Sequence, residues 1–107
     1  MTSKKYILER PKSIEKLEGF LQSIFRKNPN KHYIIKIETA YIPLENLLNI
    51  LHSNQKKIEQ FRANKSLVLL TEDYSYDELP EFISVAPTEE EAVDIIEFEE
   101  IERDLGF

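Results

Sequence analysis

Apolar residues recur along the chain with two different periods. Short, nearly continuous runs contain Tyr6-Ile7-Leu8, Tyr33-Ile34-Ile35, Leu67-Val68-Leu69-Leu70 and Phe82-Ile83. Between and after them lie longer stretches in which apolar residues return every three or four positions. The runs predict strands at Lys5–Glu9, Tyr33–Ile37, Ser66–Thr71 and Phe82–Val85, two of them apolar enough to be covered on both faces. The longer stretches predict helices. Ser13 is a candidate N-cap for Ile14, Leu17, Leu21, Ile24 and Phe25, a run closed by Asn28-Pro29-Asn30. Pro43 suits a first helical turn, and Leu44, Leu47, Leu48, Leu51, Ile58 and Phe61 form one continuous stripe, read as a single long helix closed at Asn64. The polar segment from Glu72 to Pro80 reads as a loop with a helical turn. Thr88-Glu89-Glu90-Glu91 reads as a capping box opening a last helix.

That last helix carries two stripes. Ala92, Ile95 and Ile96 point one way, whereas Phe98, Ile101 and Leu105 fall on a stripe rotated away from it. One flat surface does not bury both. The expectation is that the helix bends near Glu97, or that its terminal stripe packs on another element of the same domain. The other reading is a docking stripe for a second chain, with which a homodimer is compatible. The element order β-α-β-α-β-β-α predicts an α/β fold, a mostly parallel four-stranded sheet with flanking helices, formed by residues 1–107 as a single domain.

Composition narrows the function classes. Apolar residues make up 41% of the 107 positions and charged residues 32%, which suits one globular core. With no cysteine, neither a disulfide framework nor a thiolate metal site is available, and the expected location is the cytoplasm. The longest aliphatic run has four residues, so no membrane span or signal-peptide core is expected. The net charge of −6 hides an uneven split, because residues 1–71 hold 13 Lys/Arg against 6 Asp/Glu and residues 72–107 hold 14 Asp/Glu against Arg103 alone. The acidic third reads as a solvated helix face or as a docking surface for a basic partner; the overall sign opposes nucleic acid as a partner.

Candidate chemistry is sparse. His32 and His52 lack partners at metal-ligand spacing and are expected to face solvent, so no metal is assigned. Gly19 and Gly106 are the only glycines, which excludes a phosphate-cradling Gly-rich loop and a nucleophile elbow. Pairs such as Glu90/Asp94 and Glu100/Asp104 share a helix face, but no surrounding apolar residues would drive their pKa values apart. The chain is therefore expected to be no enzyme and to use no cofactor. Tyr33 is expected in the core, and Tyr74 and Tyr76 in exposed contacts.

From Tyr33 onward the spacing resembles the STAS domain family, the fold of bacterial anti-sigma factor antagonists. The residues that carry it are the strand Tyr33–Glu38, the leucine-rich helix after it, the strand Ser66–Thr71, and Ile83-Ser84-Val85-Ala86-Pro87-Thr88 leading into the closing helix. The segment Asp94–Phe107 is similar to the tail of small STAS-like proteins of Bacteroidetes-type bacteria. Some of those carry a ribonuclease Z label, an activity that needs a histidine-rich metal motif and a much longer chain than this one. The resemblance implies a noncatalytic, regulatory protein-interaction module that binds a protein partner through the loop and helix start after the central strand. In the family a serine there is phosphorylated. Here the stretch holds Thr39, Tyr41, Glu45 and Asn46, without the serine. The alternative class is a small-molecule sensing or carrier domain that binds at the carboxyl ends of the strands.

Overall fold

The computed structural model describes residues 5–27 and 30–106. The terminator read at Asn28-Pro29, and Phe107, fall outside them. The elements are β1 (Tyr6–Glu9), α1 (Ile14–Lys27), β2 (His32–Lys36), α2 (Leu44–Ser53), α3 (Gln55–Arg62), β3 (Leu67–Leu70), a 3-10 turn (Tyr76–Glu78), β4 (Ser84–Ala86) and α4 (Glu89–Asp104). The four strands form one sheet in the order β1-β2-β3-β4, and every neighbouring pair is parallel. The expected α/β class and parallel sheet are present.

The strand order determines where the helices go. Right-handed crossovers that always step in the same direction put every connection on the same face of the sheet. That face is indeed the larger core, where Leu17, Leu21 and Ile24 of α1, Leu47 and Leu51 of α2 and Ile58 of α3 pack on Tyr33, Ile35, Leu67 and Leu69. Leu79 and Ile83 of the β3–β4 connection join them. The opposite face, with Ile34, Val68, Leu70 and Ala86, is left without a crossover helix. α4 covers it through Ala92 and Ile96. The alternation of side chains along β2 and β3 thus divides one sheet between two cores.

Three expectations are corrected here. The stripe from Leu44 to Phe61 is two helices, because the chain breaks at Asn54. The Asn54 amide side chain donates to the Ile50 carbonyl at 2.8 Å and accepts from the Gln22 side chain at 3.1 Å, the local competition with backbone bonding that disfavours Asn inside helices. His32 is not solvent-facing, being 2% exposed; only His52 is exposed, edge-on to Phe82 with ring centroids 5.7 Å apart. α4 runs uninterrupted through Glu97, and among the described residues its terminal stripe joins neither core, with Phe98, Ile101 and Leu105 exposed at 61%, 56% and 63%.

Both ends of α4 are specified by local chemistry. Thr88 caps the first turn by accepting a hydrogen bond from the Glu91 amide at 3.1 Å, and the three glutamates Glu89, Glu90 and Glu91 complement the positive end of the helix dipole. At the other end Gly106, at φ 80°, takes the left-handed conformation that closes a helix, and its amide donates to the Arg103 carbonyl at 3.1 Å.

Candidate functional site

α4 starts at the carboxyl end of β4 and runs back across the sheet, so its second half arrives over the amino ends of the strands. There it meets polar residues of the same sheet face. His32 and Ser66 stand one position before the paired residues Tyr33 and Leu67, and Ser84 pairs with Val68. Parity puts all three under α4, and burial makes them need partners.

Glu99 supplies most of the bonding. Its side chain is 14% exposed and accepts from the Ser66 hydroxyl at 2.7 Å, the Ser84 hydroxyl at 2.6 Å and the Arg62 guanidinium at 2.9 Å. Arg62 reaches round from α3 and also donates to the Ser84 hydroxyl and the Phe82 carbonyl. Arg103, one turn along α4, donates to the Ser66 hydroxyl at 2.7 Å and lies 3.6 Å from Glu99. Burial pushes the Glu99 carboxyl up, but the hydrogen bonds from Ser84 and Ser66 and the Arg62 charge outweigh it and hold it below the usual range. Glu100 shows the same balance, its burial offset by the His32 hydrogen bond and by Lys5 and Lys65.

His32 is held by both ring nitrogens. Nδ1 accepts from the Ser66 amide at 2.8 Å, so Nε2 carries the proton and donates to Glu100 at 3.2 Å. Burial lowers the imidazole pKa, and the Glu100 carboxylate only partly opposes that. The arrangement does not activate a nucleophile. His32 faces the Ser66 amide rather than its hydroxyl, and both serine hydroxyls spend their protons on a carboxylate too acidic to be a base near neutral pH. Its work is mechanical: it ties the distal half of α4 to the amino edge of the sheet.

With that half tied down, the outer face of α4 has a fixed orientation. Phe98, Ile101 and Leu105 lie about half a turn from the buried Ala92 and Ile96. Around them the carboxylates of Glu90, Glu91, Asp94, Glu97 and Asp104 are exposed. The face has no lysine or arginine, since Arg103 points inward to Ser66.

The other candidate residues gather at the carboxyl end of the sheet. The Thr39 amide donates to Asp73 at 2.8 Å, and the Tyr74 hydroxyl shares hydrogen bonds with the Thr39 hydroxyl (2.7 Å) and the Ile42 carbonyl (3.0 Å). Tyr74 is therefore a half-buried tie between two loops rather than an exposed contact. Glu45 is exposed in the first turn of α2 with Asn46 half-buried beside it, Tyr41 is 39% exposed, and Tyr76 projects at 75%. A cleft of about 360 Å³ lies at this end, with Arg10, Lys36 and Thr71 among the residues lining it.

No family model matches the chain, and no curated protein or solved structure is significantly similar to it. The STAS resemblance accordingly rests on the spacing of sequence elements. Among the described residues no helix is long and apolar enough to cross a membrane, and no group of three or more His, Cys, Asp or Glu could hold a metal ion.

Sequence reading singled out Phe98, Ile101 and Leu105 but missed the anchor behind them. Glu99, Ser66, Ser84, Arg62 and His32 come from five separate elements or element ends, and no local spacing relates them. The available signal was faint: a histidine or serine at or just before the start of β2, β3 and β4, and two glutamates, Glu99 and Glu100, that continue the inner stripe of α4 three and four positions past Ile96.

Proposed function

We propose that this chain is a noncatalytic protein-interaction module of the cytoplasm that docks a partner on the outer face of α4. The observation that carries the reading is the exposed stripe Phe98, Ile101 and Leu105 on a helix that its other face holds rigidly to the sheet. Burying such a side chain fully contributes roughly 1.5–3 kcal/mol. The surrounding carboxylates specify the partner's chemistry. A symmetric pairing of two α4 helices would set Asp94, Glu97 and their neighbours against the same residues of a second copy, and like charges in contact repel. A complementary partner is an amphipathic helix whose apolar stripe is flanked by Lys and Arg. The regulatory role implied by the STAS resemblance belongs to the same proposal. The alternative, a small-molecule domain using the carboxyl ends of the strands, has weaker support, because two acidic groups of that cleft are already committed, Asp73 to the Thr39 amide and Glu89 to the Tyr6 hydroxyl.

The test is a fluorescence-anisotropy titration with a synthetic helical peptide bearing leucines on one stripe and lysines beside it. Binding that weakens with salt, and that the double variant Phe98→Ser/Ile101→Ser abolishes, is expected. Equal binding of a peptide with glutamates in place of the lysines, or no binding, would overturn the proposal. So would a wild-type molar mass of two chains that the double variant returns to one, since the stripe would then be self-pairing.

A further inference from the structure

The face of the molecule away from α4 carries an open cleft of about 430 Å³ between the end of α1 and α3. Its charge is one-sided. Arg26, Lys57 and Lys65 line it, and no aspartate or glutamate does. None of the three forms a salt bridge with a described residue. Lys57 has only the neutral Gln22 carbonyl oxygen at 3.4 Å. Lys65 also lies in the field of Glu100, but Arg26 and Lys57 have no carboxylate partner among the described residues, and an anion seated beside them relieves their mutual repulsion.

The floor of the cleft is aromatic. Phe25 and Phe61 are half-buried with ring centroids 6.4 Å apart at 64°, and Phe61 continues inward to Tyr33 at 6.0 Å. Flat apolar groups gain from contact with such rings, in offset or edge-on arrangements. The rim adds the side chains of Gln60 and Asn64, both exposed and without a hydrogen bond to any described residue. An amide presents a donor and an acceptor side by side, which is what the edge of a heterocyclic base requires. The volume lies within the range of about 300–1,000 Å³ typical of small-ligand sites.

We propose that this cleft binds a mononucleotide, with its phosphate among Arg26, Lys57 and Lys65 and its base against Phe25 and Phe61. The phosphate is held by side-chain cations, so the site needs none of the glycines that a backbone phosphate loop requires. It shares no residue with the outer face of α4 and stands whether or not that face docks a partner.

An amide NMR titration of the full chain with AMP, adenosine and inorganic phosphate tests it. AMP is expected to give saturable shifts confined to the end of α1 and to α3, with adenosine and phosphate each binding roughly tenfold or more weakly. The variant Arg26→Ser/Lys57→Ser alters two exposed side chains and is expected to keep the wild-type spectrum elsewhere while lowering AMP affinity by about tenfold or more. Absence of a saturable AMP shift would overturn the proposal. Inorganic phosphate binding as well as AMP would overturn it too, by reducing the cleft to a nonspecific anion surface. So would a folded double variant that binds AMP as the wild type does.

Discussion

At the scale of single residues, buried His32 with its half-exposed partner Glu100, and the neighbouring Glu99, make stability depend on pH in two separate windows. Burial favours neutral His32, so its folded pKa lies below 6.5 and the unfolded chain binds the extra proton first. Stability is complete above that value and falls as pH drops from about 6.5 toward the folded pKa. Protonation also places a hydrogen on Nδ1 against the Ser66 amide, so that bond is lost. Glu99 and Glu100 have lowered folded pKa values, so their contribution is present above about 4.5 and disappears as pH falls through those values. Urea denaturation at a series of pH values is expected to show both declines. In His32→Asn, whose side-chain oxygen can still accept from the Ser66 amide, the upper decline should vanish while the lower one stays. His52 was read as exposed and is exposed, whereas the environment of His32 was not legible in the sequence. A histidine at the start of a strand looks the same whether it meets water or a helix arriving from nearly 70 residues away, and only the path of α4 decides it.

At the scale of elements, legibility followed locality. α4 announced its start because Thr88 and Glu91 are three residues apart, and the cap forms as a local bond. Its loss is a local event as well. Thr88→Ala leaves the Glu91 amide without its side-chain acceptor and is expected to lower stability by about 1 kcal/mol, within the range of roughly 0.5–2 for such caps. A shift of the urea midpoint with an unchanged slope would check that the native state is otherwise intact. The break between α2 and α3 was hidden for the opposite reason. The apolar stripe continues through it, and the residue that breaks it, Asn54, is fastened partly to Gln22 of another helix. Periodicity reads a stripe and not the axis beneath it. The strands were the most legible elements, each found within about two residues of its observed ends, because both faces of a covered strand demand apolar residues.

At the scale of the whole molecule, the sequential order of parallel strands explains why α4 has two apolar faces. Crossovers that all lie on one side leave the other side of the sheet bare, and the closing helix must cover it with Ala92 and Ile96. Phe98, Ile101 and Leu105 play no part in that cover. A paired substitution separates the two roles on one helix. Ile96, 2% exposed against Ile34 and Val68, is expected to cost about 2–5 kcal/mol when changed to alanine, as deletions in packed cores do. Ile101, of the same type five positions on and 56% exposed, should change stability by no more than about 0.5 kcal/mol as Ile101→Ala. Repeating both measurements at several protein concentrations adds the decisive comparison. If the stripe waits for a different protein, the Ile101→Ala result is independent of concentration in the purified chain. If it were buried between copies, wild-type stability would rise with concentration and the Ile101→Ala loss would grow with it. The stripe's unusual cost, three large apolar side chains left in water on an acidic helix, is then accounted for by whichever partner removes them from it.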